Sequence, residues 1–158
     1  MVMVITGIIA GIGVSIMLTT ADAWSLASLF QDNAVSSSIV VQNRMSREIR
    51  RLLNDASVVT ANSTQFSFTD LDSSFITYNR SGNILMRNSD GLASNVAALS
   101  YTYYNDDNNA IVIPVISPNN TNIRRVQADF SIMAGTNILN FKFVTRPQNL
   151  RRLNEKFK

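Results

Sequence analysis

The chain of 158 residues has a formal net charge of +3 and contains neither histidine nor cysteine. Without histidine it lacks the commonest general base, and without cysteine it has no disulfide or thiolate metal site. Catalytic Ser-His-Asp and Cys-His arrangements and standard zinc sites are therefore excluded. Residues 146–158 hold five basic side chains against Glu155, so the rest of the chain is close to neutral.

The first 21 residues carry no charged side chain. As an α-helix this segment would be roughly 31 Å long, about the thickness of the hydrocarbon core of a bilayer. We therefore expect a membrane anchor. A cleaved secretory signal is the alternative, since Ala21-Asp22-Ala23 resembles a cleavage site, but no basic residue precedes the apolar run.

Three glycines lie within this hydrophobic segment. Gly7 and Gly11 form a small-xxx-small pair, and Gly13 is close by. In lipid such pairs let helices approach closely, which favours a helix that packs against other helices. The alternative is that glycine is simply common in membrane helices.

A second pattern begins after residue 26. Small and apolar residues recur at steps of three and four, which predicts that the helix continues as an amphipathic half over residues 27–56. No proline or glycine interrupts the chain between Val14 and Gly82. The stripe consists of Ala27, Phe30, Ala34, Ser38, Val41, Met45, Ile49, Leu52 and Ala56.

Beyond residue 56 the pattern changes to period two, with short alternating segments separated by turn-forming residues. These segments predict an antiparallel head over residues 57–150, followed by a basic tail over 151–158. The expected fold class is α+β, with the amphipathic helix covering the sheet and residues 1–26 forming the membrane half. Strands are predicted at residues 65–69, 75–79, 84–87, 99–103, 110–116, 126–132 and 139–143.

This order of segments resembles the type IV pilin superfamily, and most closely its PilW-type minor pilins and the J-type minor pseudopilins of type II secretion. The likeness covers most of the chain, and it depends on order and spacing because no single segment is specific. The segments that carry it are residues 44–51, 75–78, 81–88, 96–104, 123–126 and 145–150.

The resemblance implies a non-enzymatic filament subunit without a cofactor or metal. Its partners would be other pilin subunits, and its location the inner membrane with the head in the periplasm, then an extracellular or periplasmic filament. Such filaments serve adhesion, motility, DNA uptake or secretion. The residues expected to pack in assembly are Gly7, Gly11, Gly13, Phe30, Val41 and Met45.

Two features depart from the family pattern. Family members begin with an aromatic residue and a glutamate just before a run like residues 1–5, and both are missing here, so we expect the sequence to start a few residues inside the mature chain. Many family helices also contain a proline near residues 17–22, where this chain has none, although Gly11 and Gly13 would weaken the helix locally.

Other functions are weighed against this one. A membrane-anchored binding module would use the head and basic tail to bind DNA or another acidic surface, and that binding would weaken steeply with salt. A hydrolase has little support without histidine. The cluster Arg44, Arg47, Arg50 and Arg51 is typical of a solvated helix face, and its functional alternative is pairing with acidic groups of a neighbouring subunit.

Two local patterns have mainly ordinary explanations. The oxygen-rich loop at residues 105–109, and Asp70 with Asp72, suit calcium chemically, but they match no complete calcium motif. Three N-x-S/T sequences, at Asn62, Asn79 and Asn119, fit the acceptor pattern for glycosylation, which is frequent by chance in an Asn-rich chain.

Replacing Gly7 and Gly11 with leucine is expected to impair incorporation into filaments while the head stays folded. Leucine would hold neighbouring backbones apart, although it favours both the helix and the bilayer. The measurements are the content of the chain in purified filaments, its level in the membrane, and the protease resistance of the head. Normal incorporation of the double variant would mean that these glycines are ordinary membrane-helix residues.

Overall fold

The computed structural model describes residues 2–116 and 119–149, with side chains from Thr20 onward apart from those of Phe30, Asp55 and Asn119. Over these residues the chain has an α+β fold, in which one α-helix precedes two antiparallel sheets. The helix, α1, comprises Val2–Arg50. The expected fold class of one long helix followed by antiparallel strands is confirmed at this level.

Among its described side chains, from Thr20 onward, helix α1 buries one face against the sheets, beginning at Ala34. The buried residues are spaced by threes and fours, as the sequence pattern predicts for a helix packed on a sheet. Ala27, at the start of the predicted stripe, is instead exposed. The buried side chains of α1 are Ala34, Ser38, Val41, Met45 and Ile49, each 5% exposed or less.

The helix ends at Arg50, earlier than the predicted end at Ala56. The amides that follow donate to carbonyls only three residues back, and the amide of Leu53 then donates to the Thr69 carbonyl at 3.0 Å. These bonds to the first sheet replace continued helical bonds, so the chain leaves the helix axis. Ala56 lies exposed in a single 3₁₀ turn, Asp55–Ser57.

The first sheet has five strands in sequential antiparallel order. Asp70 shapes the turn between its second and third strands, because its Oδ1 accepts hydrogen bonds from the amides of Asp72 and Ser74, both at 3.0 Å. Gly82 turns the chain between the third and fourth strands with a φ of +60°, which glycine adopts without strain. The strands are β1 (Val58–Ala61), β2 (Gln65–Thr69), β3 (Phe75–Ser81), β4 (Ile84–Arg87) and β5 (Asp90–Ala93).

The second sheet has three longer strands in the order β6-β7-β8. Gly135, with a φ of +62°, turns the chain between the last two strands, where the sequence predicts a turn. The alternating apolar residues of the central strand form one buried face, which contacts α1. The strands are β6 (Val96–Tyr104), β7 (Arg125–Ala134) and β8 (Asn137–Thr145).

Aromatic side chains join the two sheets. The ring of Phe66 on β2 lies 5.5 Å from that of Tyr103 on β6, and 5.1 Å from that of Phe68. Tyr101 stacks on Tyr103 with ring centroids 6.4 Å apart. Since all four side chains are almost completely buried, this cluster forms part of the core between the sheets.

The prediction of a strand at residues 110–116 is wrong, because the structure has no strand there. This segment makes two isolated bridges instead, from Ala110 to Tyr104 and from Val115 to Ala61. Pro114 has no amide hydrogen and cannot continue a ladder of hydrogen bonds. The segment therefore crosses between strands of both sheets without joining either of them.

We expect Tyr101→Phe and Tyr103→Phe to change stability in opposite directions. The Tyr103 hydroxyl donates to the Asn62 carbonyl at 2.9 Å, whereas the Tyr101 hydroxyl is buried without a hydrogen-bond partner among the described residues. Tyr103→Phe removes a satisfied hydrogen bond and should lower the free energy of unfolding by about 0.5–1.5 kcal/mol. Tyr101→Phe removes an unsatisfied buried hydroxyl, whose desolvation penalty is about 1–3 kcal/mol, and should therefore raise the free energy of unfolding. Urea unfolding of the full chain in detergent, followed by near-ultraviolet circular dichroism, measures both changes.

Each tyrosine variant serves as the control for the other, since both remove one hydroxyl from the same cluster. Equal destabilisation by the two substitutions would show that the Tyr101 hydroxyl has a partner after all.

Candidate assembly surface

The N-terminal part of α1 extends beyond the region that the sheets cover. Every side chain from Thr20 to Leu29 is exposed, and the first buried one among the side chains that the structure describes is that of Ala34. Hydrogen bonds within a helix satisfy the backbone without help from a sheet. This segment can therefore stay helical while its side chains remain available to another molecule.

Several large apolar residues are exposed along this extension and on the uncovered sides of the docked helix. Trp24 is 77% exposed and Val40 is 59% exposed. Single exposed apolar residues are normal, but six large ones on one helix are enough to serve as an interaction surface, although at 100° per residue they spread around the exposed part of the helix. We call this series the apolar helix surface, and it consists of Trp24, Leu26, Leu29, Val35, Ile39 and Val40.

The helical repeat organises the apolar helix surface. Trp24 and Val35 are separated by about three helical turns, and so are Leu29 and Val40. Each pair therefore lies on one line parallel to the helix axis. Leu29 and Val40 lie on the side of the helix away from Val41 and the rest of the buried stripe.

Val41 and Met45 do not belong to this surface. The sequence interpretation places both among the residues that pack against other subunits, but both side chains are completely buried in the head. Their helical spacing directs them toward the same face as Ala34 and Ile49, which the sheets cover. Their role is intramolecular packing, and the assembly role assigned to them is corrected accordingly.

The other predicted assembly residues are less fully described. Gly7, Gly11 and Gly13 fall within α1, but their surroundings lie outside the residues whose side chains the structure describes, as does the side chain of Phe30. Within the described residues, no helix combines the length and the apolar character needed to cross a membrane.

Glu48 fixes the position of α1 on the head. Its Oε2 accepts a hydrogen bond from the Tyr78 hydroxyl at 2.7 Å and another from Arg87 Nε at 2.8 Å. Tyr78 lies on β3 and Arg87 on β4, two neighbouring strands of the first sheet. Its Oε1 lies 3.3 Å from Arg44 Nε, one turn earlier in the helix. The Glu48 side chain is 12% exposed, so these contacts are shielded from water.

The Glu48 contacts shift the ionisation of all three groups. Burial raises the pKa of Glu48, but the hydrogen bonds from Arg87 and Tyr78 outweigh it and hold the pKa below its ordinary value. Burial and the hydrogen bond to Glu48 raise the pKa of Tyr78, and the same carboxylate raises the pKa of Arg87. At neutral pH the site holds a carboxylate, a neutral phenol and a guanidinium.

The predicted arginine cluster divides into two kinds of residue. Arg44 pairs with Glu48, and Arg51 forms an ion pair with Asp72. Arg47 and Arg50 are exposed and line a shallow polar groove together with Gln42, Asn43, Ser46, Arg51 and Gln148. The cluster therefore combines an anchor for the helix with a solvated basic face, in line with the ordinary interpretation of such a pattern.

The remaining sequence candidates are the oxygen-rich loop, the asparagine motifs and the basic tail. Among the described residues, no group of three or more metal-ligating side chains comes together. Asp106 of the oxygen-rich loop faces Arg124 and Arg146, which compete with any cation for its carboxylate.

The Asn62 side chain, in one of the three N-x-S/T sequences, accepts hydrogen bonds from the amides of Thr64 and Gln65. The basic tail at residues 151–158 lies outside the described residues.

The sequence was also compared with known proteins. No family model matches the chain, and none of the curated proteins matches it.

We expect Glu48→Gln to remove part of the acid sensitivity of the fold. Because folding lowers the pKa of Glu48, its ionised form stabilises the protein above the unfolded pKa of about 4.3, and this contribution is lost as the pH falls through the folded pKa. The free energy of unfolding of the variant should be about 1–3 kcal/mol lower than that of the parent chain at pH 7. On going to acid pH it should fall further by less than that of the parent chain does. Urea unfolding at a series of pH values measures this difference.

Asp72→Asn is the matched control, because Asp72 is 67% exposed and its pair with Arg51 lies in solvent. It should change the free energy of unfolding little at any pH. If Glu48→Gln retained the whole pH dependence of the parent chain, the acid-sensitive group would have to be another carboxylate.

Proposed function

We propose that this chain is a structural subunit of a type IV pilus-like filament, of the minor pilin or minor pseudopilin kind. The observation that carries the proposal is the apolar helix surface, which continues along α1 out of the head. If the head acted alone in solution, Trp24, Leu26 and Leu29 would stay exposed to water on the helical extension without a binding partner. A filament whose subunits pack their helices together would bury them.

The physical gain from such packing is substantial. Burying one leucine or valine side chain that was exposed contributes about 1.5–3 kcal/mol. Several residues of the apolar helix surface would be buried in each subunit, which offsets the loss of freedom on assembly. Asp22 and Asp32 are the charged residues between Thr20 and Asn43, so most of this stretch can enter an apolar interface.

The membrane step of the proposal concerns residues 1–26. This hydrophobic half would hold the subunit in the inner membrane, with the head in the periplasm, before the helix moves into the filament. The rest of α1 would then connect the filament core to the head. The partners of the chain are other pilin subunits of the same filament.

The proposal assigns no catalytic activity to the chain. Its sequence contains no histidine and no cysteine, which removes the commonest general base and the commonest soft metal ligands. The buried polar cluster around Glu48 joins a helix to a sheet and uses its hydrogen-bonding atoms for that purpose. This arrangement supports a role in scaffolding.

The test is to replace Leu29 and Val40 with serine. Both side chains are exposed, so the head should fold with little change in stability. If these residues pack against a neighbouring helix, their loss should weaken subunit contacts enough to lower filament content at least about tenfold. The measurement is the amount of the chain in purified filaments relative to its amount in the membrane.

Val59→Ser is the matched control, since Val59 is 62% exposed but lies on β1 in the head. It should leave incorporation unchanged. Normal filament content in the Leu29/Val40 double variant would contradict the proposal, and so would an equal loss in the Val59 variant.

A further inference from the structure

An unbalanced positive charge is buried beside the loop at residues 105–109. Arg124 lies just before β7, and its side chain is 3% exposed. Its Nη1 donates to the carbonyl oxygens of Thr121 at 2.7 Å and Ile123 at 3.1 Å. Its Nε and Nη2 are enclosed and have no hydrogen-bond partner among the described residues.

Asp106 is the nearest carboxylate, and it is shared. Its Oδ2 lies 3.4 Å from Arg124 Nε, without the geometry of a hydrogen bond, and its Oδ1 lies 3.7 Å from Arg146 Nη2. A buried guanidinium normally holds a carboxylate through two parallel bonds at shorter distances. One acidic group therefore faces two guanidinium groups and satisfies neither of them.

A cavity of about 210 Å³ adjoins these groups. Arg125 also lines it, with its guanidinium 5.1 Å from the centre of the Tyr104 ring. Three arginines thus line the cavity with Asp106, and even if Asp107 of the adjoining cavity is counted, one positive charge is in excess. A buried charge without full compensation is costly unless something balances it.

The exposure of the charged groups rises along the cavity. The exposed fraction of the side chain is 3% for Arg124, 27% for Asp106 and 54% for Arg146. An anion entering from solvent would meet Arg146 first and Arg124 at the enclosed end. A displacement of Asp106 would open the Nε and Nη2 edge of Arg124 to it.

We propose that this cavity binds one oxyanion group, a carboxylate or a phosphate, between Arg124 and Arg146. The planar guanidinium fork matches both ligands, and it holds either of them through paired hydrogen bonds. The group can be a free ion or the end of a larger molecule. This proposal does not depend on the proposed filament role, because it rests on the head alone.

The experiment uses the full chain in a non-ionic detergent at pH 7. Its thermal unfolding midpoint is followed as inorganic phosphate or sodium acetate replaces chloride at constant ionic strength. A ligand that binds only the folded state raises the midpoint with its concentration. We expect a saturable rise with at least one anion, and the stronger of the two identifies the site as one for phosphate or for carboxylate.

Two substitutions at the site should change anion affinity in opposite directions. Arg146→Gln removes an exposed guanidinium and should weaken binding about tenfold, the effect of losing one charge-assisted contact. Asp106→Asn removes the competing carboxylate and should tighten binding several-fold. A purely structural role for Asp106 would lower the unfolding midpoint of that variant without changing its response to the anion.

Arg47→Gln is the matched control, because Arg47 is an exposed arginine in the groove at the end of α1. It should leave the anion response unchanged. The proposal fails if neither anion raises the midpoint more than chloride does, if Arg146→Gln retains the full response, or if Arg47→Gln loses as much of it as Arg146→Gln.

Discussion

The attachment of one helix face to two sheets is the constraint on which the rest of this structure depends. From Ala34 to Ile49 the buried stripe of α1 supplies the apolar cover for the core, and Glu48 adds a polar contact at its end. Packing of the stripe gives most of the free energy but little direction, since apolar contacts are non-directional. The bonds from Glu48 to Tyr78 and Arg87 hold the helix at one rotation and one height on the sheet.

That fixed rotation decides which residues of the helix remain outside. With Val41 and Met45 directed inward, Val40 must lie on the outer side, together with Ile39. The apolar helix surface is therefore a consequence of how the head binds its helix. A rotation of half a turn would bury Val40 and expose Met45, and Glu48 would then lose both of its partners on the sheet.

Much of the fold could be predicted from the sequence, because its periods are strong. Steps of three and four gave the helix stripe, alternation gave β2 and the core strands β6, β7 and β8, and turn-forming residues located β3 and β4. The strands β1 and β5 were missed, since four residues carry little of a period; β4 is equally short but was located by the turn residues Ser81-Gly82-Asn83 before it. The division into two sheets depends on pairings between distant residues, which no local pattern records.

The candidate site was predictable only in part, for a related reason. The periodic stripe includes Val41 and leaves out Val35 and Ile39, but it does not say whether the head or a neighbouring subunit covers the stripe, because that depends on where the sheets lie. Glu48 appeared only as one charged residue within an arginine-rich segment, because its partners Tyr78 and Arg87 are distant in the sequence. The same holds for Arg124 and Asp106, whose shared cavity exists only after β6 and β7 have paired.

The two faces of α1 also determine what a substitution in this helix can reveal. A change at Met45 or Ile49 removes core contacts and leaves a cavity, so any loss of assembly that followed would report a damaged head. Leu29 and Val40 are largely exposed, so a change there should leave the core intact and would isolate the contribution of the helix to the proposed contacts between molecules. Because the helical repeat places the two classes only one residue apart at Val40 and Val41, assembly has to be analysed one face at a time.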